Sequence, residues 1–349
     1  MKNKKKTVLV TGGTGYIGSH TVVELQEKGY NVIIIDNLSN SYASVVDSIK
    51  KITGIRPKFE KIDLCDYKKT ENFFKKNKNI SAIIHFAAFK AVGESVEKPL
   101  EYYNNNLLSL INVLKCASKF KVDNFVFSSS CTVYGQPDKL PISEKSPFKT
   151  AYSPYGSTKQ MCEEIIRLST PKTNIKSISL RYFNPIGAHE SALIGELPIG
   201  TPNNLVPFIT QTAIGKRKVL SVFGDDYNTP DGTCIRDYIH VVDLAEAHIA
   251  AVERLLNNKN KQIYEMFNIG TGIGHSVLEV IKAFEKVSGQ KLNYKVVDRR
   301  PGDIEKIWAD TKFANKELSW KAEKSLDDMV LSAWKWEKNI SKKKKDDKK

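Results

Sequence analysis

The chain has 349 residues, 41% hydrophobic and 27% charged, a balance that fits a globular protein long enough for two lobes. Of its net charge of +15, eight charges sit in "KNKKK" (2–6) and "KKKKDDKK" (342–349), where no aromatic residue interleaves with the lysines, so no nucleic-acid partner is expected. No apolar run approaches the roughly 20 residues of a membrane helix, "VLV" (8–10) is too short for a signal-peptide core, and the five widely spaced cysteines show no CxxC; a cytoplasmic protein with no membrane role, no disulfide framework and no metal site is expected.

The chain begins with apolar runs that alternate with segments of helical length. "TVLVTG" (7–12), "NVIIID" (31–36), "KFEKIDL" (58–64), "AIIHFAA" (82–88), "NFVFSSS" (124–130) and "KSISLRYFN" (176–184) predict strands. Segments 17–28, 42–52, 66–76 and 100–119 predict helices between them. Strands rich in Val, Ile and Phe that alternate with helices make an α/β fold, a doubly wound parallel sheet of the Rossmann type. Beyond about residue 185 the pattern loosens into loops with Gly and Pro. "SVLEVIKAFEKVSG" (276–289) predicts a helix closed by glycine, and "SLDDMVLSAWKW" (325–336) a last amphipathic helix capped by Ser325. A smaller α/β lobe over the carboxyl ends of the sheet is expected.

"VTGGTGYIGSH" (10–20) joins the first strand to the first helix, with glycines at 12, 15 and 18. Gly12 allows the tight turn, Gly15 lets a pyrophosphate approach the backbone, and Gly18 lets the helix pack on the sheet. Asp36 ends the second strand, where a carboxylate binds an adenosine ribose diol and repels a 2′-phosphate, so NAD is expected rather than NADP. Asp63, at the end of the third strand, is placed to accept from the adenine amino group. Phe86 to Lys90 follow the fourth strand and should lie along the cofactor cleft. The division expected is a basic tail (1–6), an NAD-binding Rossmann domain (7–184), a second lobe (185–338) from which some segments return to the sheet, and a disordered lysine-rich tail (339–349).

"SSSCTVYG" (128–135) ends the fifth strand, and "SPYGSTK" (153–159) places Tyr155 and Lys159 four apart, on one face of a helix. Pro154 suits the first turn of that helix. Hydride can leave an alcohol carbon only if the hydroxyl proton also leaves. A phenol with a pKa of about 10 is a poor base, but a nearby ammonium and an oxidised nicotinamide both favour the phenolate. Ser130, Tyr155 and Lys159 together, downstream of a dinucleotide loop, form a Ser-Tyr-Lys set for hydride chemistry.

With "GGTGYIGSHT", "DNLSNS", "FAAFKAVGESVEKPLEYY", "FSSSCTVYG", "SPYGSTK", "RYFNPIGAH", "PNNLVPFI", "DGTCIRDYIHV" and "NIGTGIGHSV", the chain resembles the extended short-chain dehydrogenase/reductase family, and within it the UDP-glucose 4-epimerases, from Val8 to about Trp336. The resemblance implies further cofactor contacts at Tyr16, Ile17, the loop Asn37, Leu38, Ser39, Asn40 and Ser41, then Asp63, Leu64, Phe86, Ala87, Ala88, Lys90, Asn105 and Phe183. It implies a UDP-sugar held by Lys90, Ser130, Tyr155, Asn184, Asn204, Leu205, Arg236, Arg300 and Asp303. Arg236 and Arg300 are natural partners for a diphosphate dianion. The implied reaction, part of galactose metabolism, interconverts UDP-glucose and UDP-galactose. Tyr155 takes the proton of the sugar 4-hydroxyl as hydride passes to NAD, a 4-ketopyranose turns over, and hydride returns to its other face. A homodimer through helices near 100–119 and 155–169 is also implied.

Seven residues after Arg300 lies Ile307, at a family position facing the sugar where a bulky residue restricts the site to glucose and galactose and a small one admits 2-acetamido sugars. Ile307 is intermediate; acetamido sugars are expected to be poor substrates. Other readings are a UDP-N-acetylglucosamine 4-epimerase, a nucleotide-sugar dehydratase or decarboxylase, and a non-catalytic NAD-sensing protein. Elimination needs a placed acid, and Cys131, Thr132 and Val133 after Ser130 offer no carboxylate. An NAD sensor has no need of Tyr155 and Lys159 together.

Overall fold

In the computed structural model, which describes residues 5–300 and 303–346, Val8, Leu9 and Val10 are wholly buried in strand β1 (Thr7–Thr11). Val8 and Val10 point to one face of a sheet and Leu9 to the other, the period-two alternation of a strand covered on both sides. The chain continues through α1 (Tyr16–Glu27), β2 (Asn31–Asp36), α2 (Val45–Thr53), β3 (Lys58–Lys61), α3 (Tyr67–Lys76), β4 (Ile80–His85), α4 (Val92–Glu97), α5 (Pro99–Lys119), β5 (Asn124–Ser128), α6 (Pro154–Thr173) and β6 (Lys176–Tyr182). The second half adds β7 (Asn184–Ile186), α7 (Leu205–Ala213), β8 (Leu220–Phe223), β9 (Ile235–His240), α8 (Val241–Leu256), β10 (Tyr264–Ile269), β11 (Gly274–Ser276), α9 (Val277–Ser288), β12 (Tyr294–Val297), β13 (Lys306–Ile307), α10 (Lys312–Leu318) and α11 (Leu326–Asp346).

Seven strands form one parallel sheet in the order β10-β6-β5-β4-β1-β2-β3. The order reverses between β1 and β4, and a crevice opens there at the carboxyl edge. This is the doubly wound α/β fold expected. Helices α1, α2 and α8 cover one face, and α3, α5 and α6 the other.

The seventh strand, β10, and helix α8 come from the second half of the chain, and β10 lacks a plain apolar signature. "YEMFNI" carries Glu265 and Asn268 into the interior. There Glu265 pairs with Arg254 (2.7 and 2.9 Å), and Asn268 donates to the Ile142 carbonyl (2.9 Å) and accepts from Tyr134 (2.6 Å). Buried polar groups with partners carry no desolvation penalty of the unpaired kind, so a strand can hide behind them.

The remaining segments form a smaller lobe. β11, β9, β13 and β7 make a four-stranded sheet, and β8 pairs with β12. Their core gathers Val206, Ile209, Tyr238, Phe284, Val330 and Trp334 from α7, β9, α9 and α11. α9 matches its prediction closely: Ser276 and Glu279 form a capping box, and Gly289 closes the helix at φ 67°. Ser325 caps α11 as expected, accepting from Asp328 N at 3.2 Å. However, α11 runs past its predicted end at 336 to Asp346, so the tail expected to be disordered from 339 is helical that far. Lysine is a good helix former and favourable near a helix carboxyl end, and Asn339 also anchors this stretch by donating to the Ala192 carbonyl. Among the described residues, no helix is long and apolar enough to cross a membrane.

Candidate active site

The crevice begins at the glycine loop. Gly12 has φ 70°, and a Cβ there would lie 2.8 Å from the Ala87 nitrogen. A Cβ on Gly18 would lie 2.2 Å from the Gly12 carbonyl. Both positions therefore need glycine. Gly15 caps α1 without a side chain, so the first-turn amides of Tyr16, Ile17 and Gly18 have no intrahelical partner and face the crevice. Such an end is a site for an anion.

Asp36 closes β2 and organises the next wall. Its carboxylate accepts from Leu38 N (2.8 Å), Thr14 N (3.2 Å) and Ser41 Oγ (3.2 Å), and Thr14 Oγ1 pairs with Ser41 Oγ at 2.7 Å. The glycine loop and the 37–41 loop are thus tied through one carboxylate. Asn37, Ser39, Asn40, Asp63, Leu64, Phe86, Ala87, Ala88, Lys90 and Asn105 line the same crevice. Leu38, with φ 63°, belongs to the loop but not to that lining. β3 ends at Lys61, three residues short of its predicted end, so Asp63 lies on the loop beyond it. A glycine cradle, free helix amides and a carboxylate at the end of β2 fit NAD.

Opposite this wall, α6 begins at its cap Ser153, whose Oγ accepts from Gly156 N at 3.1 Å, with Pro154 in the first turn. Tyr155 and Lys159 are buried on one helix face and line the crevice. Lys159 Nζ donates to the Ser128 carbonyl at 2.8 Å. Ser130, buried at the end of β5, accepts from Thr132 N at 3.3 Å. Burial holds the Tyr155 phenol well above its ordinary range, Tyr182 adds to the rise, and the nearby Ser130 hydroxyl pulls the other way. Burial pushes Lys159 down to about 8, against the raising influence of Cys162 and Glu163. The lowered tyrosine pKa expected from the sequence is thus not supplied by the protein's own groups, because desolvation acts on both members of the pair.

The residues expected to hold a sugar nucleotide fall into two groups. Lys90 and Asn204 meet on Glu196, whose Oε1 accepts from Lys90 Nζ (3.2 Å) and Asn204 Nδ2 (2.6 Å). Asn204 caps α7 and Leu205 is its first residue. On the small sheet, Arg236 (β9) lies opposite Ile307 (β13), and Asn184 (β7) opposite Tyr238 (β9). Asp303 gathers both arginines, 2.8 Å from Arg300 Nη2 and 3.8 Å from Arg236 Nη2. Phe183 and Ile307 are buried together with Val133 and Tyr134. Ser130, Phe183, Asn184, Asn204, Leu205, Arg236, Arg300, Asp303 and Ile307 do not line the dinucleotide crevice itself.

Several residues of the crevice escaped the sequence. Thr14 and Tyr182 lie inside recognised motifs. Glu196 sits in a loop rich in Gly and Pro with no period to mark it. Trp336 reads as an ordinary apolar helix position, yet its indole donates to the Glu196 carbonyl at 2.9 Å and its ring packs on Gly195.

A family model described as GDP-mannose 4,6 dehydratase matches residues 9–332. The UDP-glucose 4-epimerase of Bacillus subtilis is 51% identical over 331 residues, covering 95% of this chain and 96% of that protein. The crystal structure of a UDP-glucose-4-epimerase from Stenotrophomonas maltophila, with bound NAD and formylated UDP-arabinopyranose, is 47% identical and superposes with a TM-score of 0.93, covering 97% of this chain and 99% of that one. The UDP-glucose 4-epimerase of Bifidobacterium longum, in complex with NAD+ and UDP, is 48% identical with a TM-score of 0.92, covering 96% of this chain and 99% of that one. Within the broad family that the model describes, the chain belongs to the UDP-glucose 4-epimerases.

Proposed function

We propose that this chain interconverts UDP-glucose and UDP-galactose by oxidation at C4, turnover of the 4-keto sugar and re-reduction, using an NAD that stays bound. The observation that carries the reading is the placement of Tyr155 and Lys159, packed against the end of β5, in the wall of the dinucleotide crevice. The glycine loop, the first turn of α1 and Asp36 would hold NAD, which would supply a reversible hydride acceptor for C4. Tyr155 removes the proton from the 4-hydroxyl and later gives it back, and Ser130 holds the sugar oxygen by a hydrogen bond. Burial disfavours phenolate, so the positive charge of Lys159 next to the ring is the protein's contribution to its formation. Lys90, Asn184, Asn204, Leu205, Arg236, Arg300 and Asp303 hold the UDP-sugar, with the two arginines on the diphosphate. An exposed aromatic, Phe223, lies under the Arg300 guanidinium at 5.5 Å, next to them.

A dehydratase reading is disfavoured by the groups after Ser130. Burial pushes the Cys131 thiol up to about 12, too weak an acid for elimination of water. The division expected from the sequence becomes a functional one: residues 7–184, with α8 and β10, bind NAD, and most of 185–338 binds the UDP-sugar. Exposed Val96 and Leu100 near the start of α5, with exposed Met161 and Leu168 on α6, support a homodimer through these helices; a sizing experiment giving the mass of one chain would refute it. Five free thiols suit the cytoplasm. The enzymatic reading is tested by denaturing the purified protein to release NAD, and by incubating native protein with UDP-galactose; absence of both NAD and UDP-glucose would refute it.

A further inference from the structure

Ser128, the last residue of β5, and Ser129 and Ser130, which follow it, each have a different partner. Ser128 accepts at its carbonyl from Lys159, and its hydroxyl pairs with Tyr182 OH at 2.8 Å. Ser130 lies beside the Tyr155 phenol and accepts from Thr132 N at 3.3 Å. Ser129, wholly buried, donates to Glu163 Oε1 at 2.5 Å, and its amide donates to the Leu180 carbonyl at 2.9 Å. Tyr155, Lys159 and Glu163 are spaced by four on α6, so a single stripe of the helix meets the end of the strand, with the first near Ser130, the second on Ser128 and the third on Ser129.

Glu163 does not reach Ser129 unsupported. Arg181 on β6 donates to both of its oxygens, Nη2 to Oε2 at 2.6 Å and Nε to Oε1 at 3.0 Å. Tyr264 OH on β10 donates to Oε2 at 3.0 Å. Arg181 in turn donates from Nη1 to Tyr134 OH at 2.9 Å and lies over the Tyr134 ring. Glu163 and Arg181 are both buried. Ser129 just past β5, Arg181 on β6 and Tyr264 on β10 thus converge on one carboxylate, and among the described residues its one serine partner is the one bonded in sequence to Ser130.

A buried ion pair is weak support for stability, since apolar residues of equal volume often serve as well. What an apolar set could not do is fix the strand end against the helix in one register. We propose that Ser129, Glu163 and Arg181 are positioning residues, which hold Ser130 at the distance from Tyr155 that proton transfer requires. The proposal rests on the hydride-transfer reading, and wild-type turnover tests that reading separately.

Ser129→Ala removes the tether and leaves the ion pair intact. Displacing a reacting group by a fraction of an ångström has large effects on rate, so kcat with UDP-galactose should fall about tenfold while KM stays within about twofold and NAD remains bound. Ser129→Thr keeps the hydroxyl and should restore kcat to near the wild-type value. Ser129→Cys keeps the side-chain volume but donates weakly; it should show the same selective loss of kcat, and it serves if the alanine variant does not fold. Wild-type kcat in the alanine or cysteine variant, or a threonine variant as slow as alanine, would overturn the proposal.

Discussion

Lys159 Nζ lies 5.8 Å from the centre of the Tyr155 ring and 2.8 Å from the carbonyl oxygen of Ser128. The ammonium is thus fixed by the backbone of the strand on which Ser130 follows, and it lies beside the phenol without bonding to it. A charge held in this way acts on the phenol through space. The proposed proton carrier, its charge partner and the serine keep their relation because one strand end and one helix turn carry all three.

Replacing Tyr155 by Phe removes the only group proposed to carry the 4-hydroxyl proton. Turnover of UDP-galactose should fall by about a hundredfold to ten-thousandfold. Bound NAD should be retained, because the glycine loop and Asp36 do not change. Steady-state rates, with NAD released on denaturation, check both halves. Retained turnover would remove Tyr155 from its role.

The buried Lys159 makes stability depend on pH. Its folded-state pKa of about 8 lies below the ordinary 10.5. Above pH 10.5 the amine is neutral in both states and burial has no electrostatic penalty. As pH falls toward 8 the unfolded chain takes up the proton first, and stability is lost; below 8 the penalty is complete, about 3 kcal/mol. Lys159→Met should therefore be inactive yet more stable than the wild type at pH 7, with the gain shrinking by pH 10. Equilibrium unfolding of both proteins at the two pH values checks this. A variant that is less stable at pH 7 would contradict it.

Glu196 occupies Lys90 and Asn204, both proposed to hold the UDP-sugar. A ligand phosphate must compete with that carboxylate. Glu196→Gln should bind UDP several-fold more tightly at low salt, with the difference reduced at high salt where charge effects are screened. Titration calorimetry with UDP measures this. Weaker binding would mean that Glu196 instead holds Lys90 and Asn204 in the geometry the ligand needs.

Ile307 is only 2% exposed and packs with Phe183, Val133 and Tyr134. Its first duty is therefore packing, and Ile307→Ala should destabilise the protein by about 2–4 kcal/mol. The space it vacates lies opposite Arg236 in register. Wild-type protein should turn over UDP-N-acetylglucosamine much more slowly than UDP-glucose, and the alanine variant should narrow that ratio. Competition assays with the two sugars read the ratio directly; comparable wild-type rates would contradict the specificity proposed.

The first half of the fold was legible because a doubly wound sheet leaves a strong pattern: strands buried on both faces must be apolar throughout, and glycine loops must fall at their ends. A return of later segments to that sheet was expected, but β10 was not legible as the strand that joins it, nor α8 as the helix that covers it. Nothing local reveals that Glu265 and Asn268 will find Arg254 and Tyr134 across the fold. The same limit applies to the site. Gly12, Asp36, Tyr155 and Lys159 are marked by spacing within one motif. Glu196 and Trp336 acquire meaning only where a Gly- and Pro-rich loop and the last helix fold back onto the crevice. The electrostatics were the least legible part, since a phenol beside an ammonium suggests a lowered pKa until burial is counted.

The central claim, that one bound NAD takes hydride from C4 and returns it to the other face, is tested most directly with UDP-galactose deuterated at C4, incubated without added cofactor. The prediction is UDP-glucose with deuterium retained at C4 and no net reduced cofactor. Loss of the label to solvent, or a product other than a C4 epimer, would contradict it.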